Sequence, residues 1–170
     1  MALKSSLIVL LLTLMPIFLM ISGASCKEKN MVFYVQEILS GPNATILSSA
    51  GVNGSSSNPR SFGTVFVIDD VITQGPHPNS KFLGRYQGVE ANSDLSGKDF
   101  HLAASLIFEN GSTLEIQGTI ISQLPKRELS VVGGTGRFRY ARGFVIVQIV
   151  ATDGVNFTFK NNVTIWTPSD

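Results

Sequence analysis

The most informative charged residue in the chain is Glu37, because of what surrounds it. It lies in "MVFYVQEIL", residues 31–39. In an extended segment successive side chains fall on opposite faces. Met31, Phe33, Val35 and Leu39 share its parity, so Glu37 sits on the more uniformly apolar face. Two readings stand side by side. A carboxyl group buried there is costly as an anion; burial raises its pKa and makes it a candidate general acid. Alternatively it ends a strand and reaches solvent at the mouth of the fold, the commoner fate of a glutamate.

Other chemistry-bearing residues are sparse. Cys26 is the only cysteine, so no disulfide can form within the chain and no multi-cysteine zinc site can be built. His77 and His101 stand apart from one another, and no metal is expected. The stretch "SVVGGTGRFRYARGF", residues 130–144, lacks the third glycine of a dinucleotide-binding loop and leads into "FVIVQIV", a strand pattern and not a helix. The phosphate-binding pattern G-x-x-x-x-G-K-S/T is absent as well, so no cofactor is expected. The glycines read as a turn that uses positive φ. Arg137 and Arg139 then share one face of a half-solvated hairpin, Phe138 and Tyr140 the other.

The elements that must carry these residues are strands. After the N-terminal segment the chain alternates short runs rich in Val, Ile, Phe and Thr with clusters of Gly, Asn, Asp, Ser and Pro. Eight strands are predicted, at about 31–39, 62–70, 81–91, 100–109, 112–121, 127–132, 138–150 and 156–166. "FENGST" at 108–113 holds Asn-Gly, a hairpin signal. Residues 48–61 and 73–80 read as surface loops. The predicted fold is all-β, an eight-stranded antiparallel barrel with a central small-molecule pocket, which leaves no open edge. A two-sheet sandwich is the alternative that pattern does not separate.

The first 25 residues read differently. Lys4 precedes an apolar run interrupted by Pro16 and followed by "GAS". That is the layout of a secretory signal peptide, and the run is short for a membrane span, which needs about 20 residues. The domain is therefore expected at 26–170. Cleavage removes Lys4 from the 13 basic residues, leaving 12 against 12 acidic ones. Nucleic acid is not expected as a partner, nor a membrane after cleavage. Five sequons agree with secretion, at Asn43, Asn53, Asn110, Asn156 and Asn162. In "NFTFKNNVTIW" two of them share parity, so Asn156 and Asn162 are expected to face solvent while Phe157, Phe159, Val163 and Ile165 face the core.

The motifs "FYVQEIL", "FGTVFVIDDVIT", "GRYQG", "STLEIQG" and "SVVGGTGRFRYARG" occur in an order that resembles the plant dirigent proteins, over about residues 31–166. The resemblance implies an eight-stranded barrel, homo-oligomeric (a trimer before a dimer), in secreted proteins of the cell wall. It implies binding of phenolic intermediates. In one role a separate laccase or peroxidase makes phenoxy radicals from monolignols such as coniferyl alcohol, and the protein directs their stereoselective coupling in lignan biosynthesis. In another, an isoflavanol loses water with acid assistance and closes to a pterocarpan. A third reading is a wall or defence protein that binds a phenolic or a sugar without turnover.

Site residues carried over by the resemblance are Glu37 as first acid and Arg127, in "PKRELS", as the pocket arginine that holds a phenolate or carboxylate. Phe33 and Val35 are expected to line the pocket beside Glu37. The family's second acid falls at Ile120, and its pocket tyrosines fall at Glu90 and Asn92. Glu90 is thus expected to be the second proton-transfer group, with Asn92 and Ile120 in the lining. Asp69, in "VIDD", is expected to accept backbone hydrogen bonds at a strand end. The cysteine pair of the lignan-forming branch is missing.

Overall fold

The computed structural model describes residues 25–51 and 61–169. Apart from Ser25, the expected signal segment lies outside the described residues, as does the sequon at Asn53.

Among the described residues nine strands form one antiparallel sheet: β1 (Cys26–Ile38), β2 (Ile46–Ala50), β3 (Val65–Thr73), β4 (Phe82–Asn92), β5 (Phe100–Phe108), β6 (Thr113–Ile120), β7 (Arg127–Gly134), β8 (Arg142–Thr152) and β9 (Asn156–Pro168). Their order is β1-β9-β8-β7-β6-β5-β4-β3, and β1 pairs again with β3 through Tyr34–Thr73, Val35–Ile72 and Gln36–Val71. That last pairing closes an eight-stranded barrel, as expected from the sequence. On the outer face Gln36 strengthens the seam. Its amide donates to Thr73 Oγ1 at 3.0 Å and its carbonyl accepts from Thr158 Oγ1 at 2.9 Å, linking β1, β3 and β9.

Two local features depart from the sequence reading. β2 was not predicted. It is five residues long, pairs with β3 among the described residues, and its pattern "ILSSA" runs into a Gly- and Ser-rich sequence. The 130–144 stretch is more than a hairpin turn. Gly136–Phe138 form one turn of 3-10 helix, and β8 begins at Arg142, not at 138. Phe138 folds inward, 4 % exposed, with its ring 5.2 Å from that of Phe108. Tyr140 instead points to solvent, with φ at +63°.

Alternation places Phe33, Ile72, Leu106, Leu114, Val131, Val145 and Ile165 inside, where they are buried. Together with Phe138 they fill one end of the barrel. The other end is lined but not filled.

Candidate functional site

The unfilled end is a cavity of about 410 Å³, within the ~300–1,000 Å³ typical of small-molecule sites. Much of its wall is apolar: Val35, Ile68, Leu102, Ile120, Leu129 and Phe159 among others. Set into that wall are three carboxylates, Glu37, Asp70 and Glu90, with Tyr86, Ser122, Asn161 and Arg127.

Each acid is aimed inward by strand parity. Glu37 follows Phe33 and Val35 on β1. Asp70 lies between Ile68 and Ile72 on β3. Glu90 shares an inner face of β4 with Tyr86 and Gly88. Gly88 leaves no room for a side chain: a Cβ there would come within 2.5 Å of the Ala103 carbonyl and 2.7 Å of Ala104 Cα. β4 and β5 can therefore lie close together between Tyr86 and Glu90.

Burial dominates the electrostatics. It pushes Glu37 up to about 8, and the charges of Asp70 and Glu90 add to the effect. Asp70 is pushed up to about 7 by burial; a hydrogen bond from Thr45 and the charge of Arg85 work against this, while Asp69 and Glu90 reinforce it. Glu90 is pushed up to about 7 by burial, opposed by the Arg127 guanidinium. Tyr86 is raised well above its ordinary value, first by burial and then by the three acids. An apolar chamber thus holds three carboxyl groups that exchange protons near neutrality, the range in which acid–base groups work best. Among the described residues no group of His, Cys, Asp or Glu is arranged to hold a metal ion.

Arg127 donates from Nη2 to the Ser122 carbonyl at 3.2 Å, while its buried Nε has no protein partner. It faces the cavity, and Glu128 faces out.

Of the residues singled out from the sequence, Glu37, Glu90, Arg127, Val35 and Ile120 all lie on the cavity wall. Two do not. Phe33 is one inward step further along β1, packed edge-on against Phe108 at 6.3 Å in the filled end. Asn92 points inward but is closed off, 1 % exposed; its main chain is bonded to Thr64 and Gly63, and neither amide atom has a partner. Asp69 corrects a third expectation. It lies on the outer face and accepts from side chains, Arg85 Nε at 2.8 Å and Gln87 Nε2 at 3.0 Å, with an ion pair to Arg85 at 2.7 Å. The cavity acid is its neighbour Asp70, which the sequence reading passed over. The signal was present: in "VFVIDDVI" Asp70 shares parity with Phe66, Ile68 and Ile72, the same test that picked out Glu37.

Asn43, Asn110 and Asn156 are exposed, and Asn162 faces outward with partial exposure. The Asn156 amide donates to Asp153 at 2.8 Å.

The family model for dirigent-like proteins matches residues 28–166. The chain belongs to the dirigent family. It is 34% identical over 144 residues to dirigent protein 11 of Arabidopsis thaliana, spanning 82% of this chain and 75% of that one. It is also 34% identical over 132 residues to pterocarpan synthase 1 of Glycyrrhiza echinata, spanning 75% and 70% respectively. Among solved structures, that of the pterocarpan synthase dirigent protein GePTS1 superposes with a TM-score of 0.77 at 29% identity, over 86% of this chain and 88% of that one. This dirigent protein therefore has relatives of both descriptions.

Proposed function

We propose that this dirigent protein binds a neutral phenolic alcohol in the barrel and carries out its dehydration and ring closure, as a pterocarpan synthase does. The observation that supports this most is the set of three buried carboxyl groups in one apolar cavity. Radical coupling also passes through quinone methides that want proton transfer, but loss of water asks in addition for a protonated donor, which Glu37, pushed up to about 8 by burial, supplies at neutral pH. The apparent shortage of acids at Ile120 is offset by Asp70 and Glu90 in the same chamber.

A protonated acid, Glu37 in this reading, gives its proton to the benzylic hydroxyl, and the C–O bond breaks to release water. The phenol that drives this departure gives its proton to an ionised carboxylate, Asp70 or Glu90, leaving a quinone methide. A second phenolic oxygen then attacks the methide carbon. Its proton moves to the quinone oxygen through the same acids, so the net change is loss of one water. Arg127, with an unpartnered Nε, holds the phenolate as charge develops. The apolar wall fixes one face of the methide toward attack.

The second reading is stereocontrol of phenoxy-radical coupling, with a laccase or peroxidase as the radical source. The names of the dirigent relatives favour keeping it. Two parallel incubations distinguish them. One supplies an isoflavanol and no oxidant; the other supplies coniferyl alcohol with a one-electron oxidant. Water loss in the first, with a racemic product in the second, is expected. An inert isoflavanol beside an enantiomeric excess in the coupled product would reverse the order. In either reading the protein acts outside the cell, as the leader pattern and sequons suggest.

A further inference from the structure

The segment between β1 and β2 returns to the barrel at Thr45. Its main-chain N–H donates to the Ile38 carbonyl at 2.9 Å, and its carbonyl accepts from Asp69 N–H at 2.8 Å. Its hydroxyl oxygen accepts from Ile38 N–H at 2.9 Å, and the hydroxyl donates to Asp70 Oδ1. Thr45 is thus fastened to the strand that carries Glu37 and to the strand that carries Asp70. A hydroxyl has one proton to give. With Ile38 N–H directed at its oxygen, that proton is aimed at Oδ1.

We propose that Thr45 is a positioning residue: it ties back Oδ1 of Asp70 and leaves Oδ2 as the oxygen that takes and returns a proton in the cavity. The proposal rests on the reading of this cavity as a proton-transfer site. No other side-chain hydrogen bond reaches the Asp70 carboxyl among the described residues. The charged and titratable groups around it are Glu37 on β1, Tyr86 and Glu90 on β4, and the Asp69–Arg85 pair behind it on the outer face. Of these only Arg85 favours the anion. The Thr45 hydroxyl, with the Arg85 charge behind it, therefore helps Asp70 to ionise beside two other acids.

Thr45 is also the third residue of the sequon "NAT", and Asn43 is exposed. The same hydroxyl would serve sugar transfer before folding and Asp70 afterwards. Losing it removes both, whereas Asn43→Gln removes only the sugar site.

The test is a carboxyl 13C titration of the full chain, followed by NMR, for the unsubstituted protein, Thr45→Val, Thr45→Ser and Asn43→Gln. A hydrogen bond to a charged group contributes about 1.5 kcal/mol, or roughly one pKa unit. Asp70 should therefore titrate about one unit higher in Thr45→Val, and at its original midpoint in Thr45→Ser and Asn43→Gln. An unmoved Asp70 in a folded Thr45→Val protein would overturn the proposal, as would an equal shift in Asn43→Gln. Should Thr45→Val fail to fold, the unsubstituted protein decides. The Thr45 hydroxyl proton should be protected from exchange and its shift should follow the Asp70 titration; a freely exchanging hydroxyl would overturn the assignment. These readouts need no turnover. A protein inert toward every phenolic would sink the functional reading and leave the titration to judge Thr45 by itself.

Discussion

At the residue scale, burial sets the behaviour of the acids, and this has a thermodynamic consequence. Folded Glu37 keeps its proton up to about pH 8, whereas a free glutamate releases it near 4.5. Between those values the folded state binds more protons than the unfolded one, so stability falls as pH rises. Asp70 and Glu90, with folded values of about 7, act in the same sense over a narrower window. The protein should therefore have a higher melting temperature at pH 5 than at pH 8. Glu37→Gln should stabilise it at pH 8 by roughly 2–4 kcal/mol and hardly at all at pH 4. Equal melting temperatures for Glu37→Gln and the parent at pH 8 would mean that Glu37 reaches solvent. Arg127 provides a second check. Removing its charge in Arg127→Leu should move the Glu90 titration upward, and an unchanged Glu90 would separate the two groups.

At the element scale, β4 is the strand on which the site depends most visibly. It presents Tyr86, Gly88 and Glu90 to the interior in sequence, and Gly88 lets β5 approach. Gly88→Ala should push β4 from β5, costing about 1–3 kcal/mol and shifting Glu90; a chemical-denaturation midpoint unchanged from the parent would contradict the close packing. The strands themselves were legible because Val, Ile, Phe and Thr alternate with polar residues over eight or more positions. β2 was not, since five residues with two serines carry too little alternation to stand out beside a Ser-rich sequence. The acids were legible as far as parity was applied. Glu37 was found by it, and Asp70 would have been, had "VIDD" been read by face and not by motif position. Depth along the barrel was hidden: Phe33 and Val35 share a face, yet only tertiary packing, with Phe138 plugging one end, decides which of them meets the cavity. Asn92 was hidden for a similar reason, because its enclosure depends on hydrogen bonds to residues nearly 30 positions away.

On the scale of the whole molecule, the barrel has one sealed end and one receiving end. Closure pairs β1 with β3 over three positions, Tyr34 to Gln36. It also brings Glu37 and Asp70, 33 positions apart, onto adjacent strands. The outer surface carries a row of cross-strand neighbours, Leu47, Val67 and Val89, each about half exposed or more. That row supports the proposal of a homo-oligomer. Val67→Glu should lower the mass measured by light scattering if the row is an interface, and an unchanged mass would place the interface elsewhere. The interior makes the stronger demand, since a chamber that moves protons must also choose a face of its intermediate. The most direct measurement is chiral chromatography of the product formed from an isoflavanol without oxidant, by the parent protein and by the Glu37→Gln/Asp70→Asn double variant. A single enantiomer from the parent, with formation reduced at least ~100-fold in the double variant, is the expected result. Equal formation by both proteins would contradict proton transfer by the cavity acids.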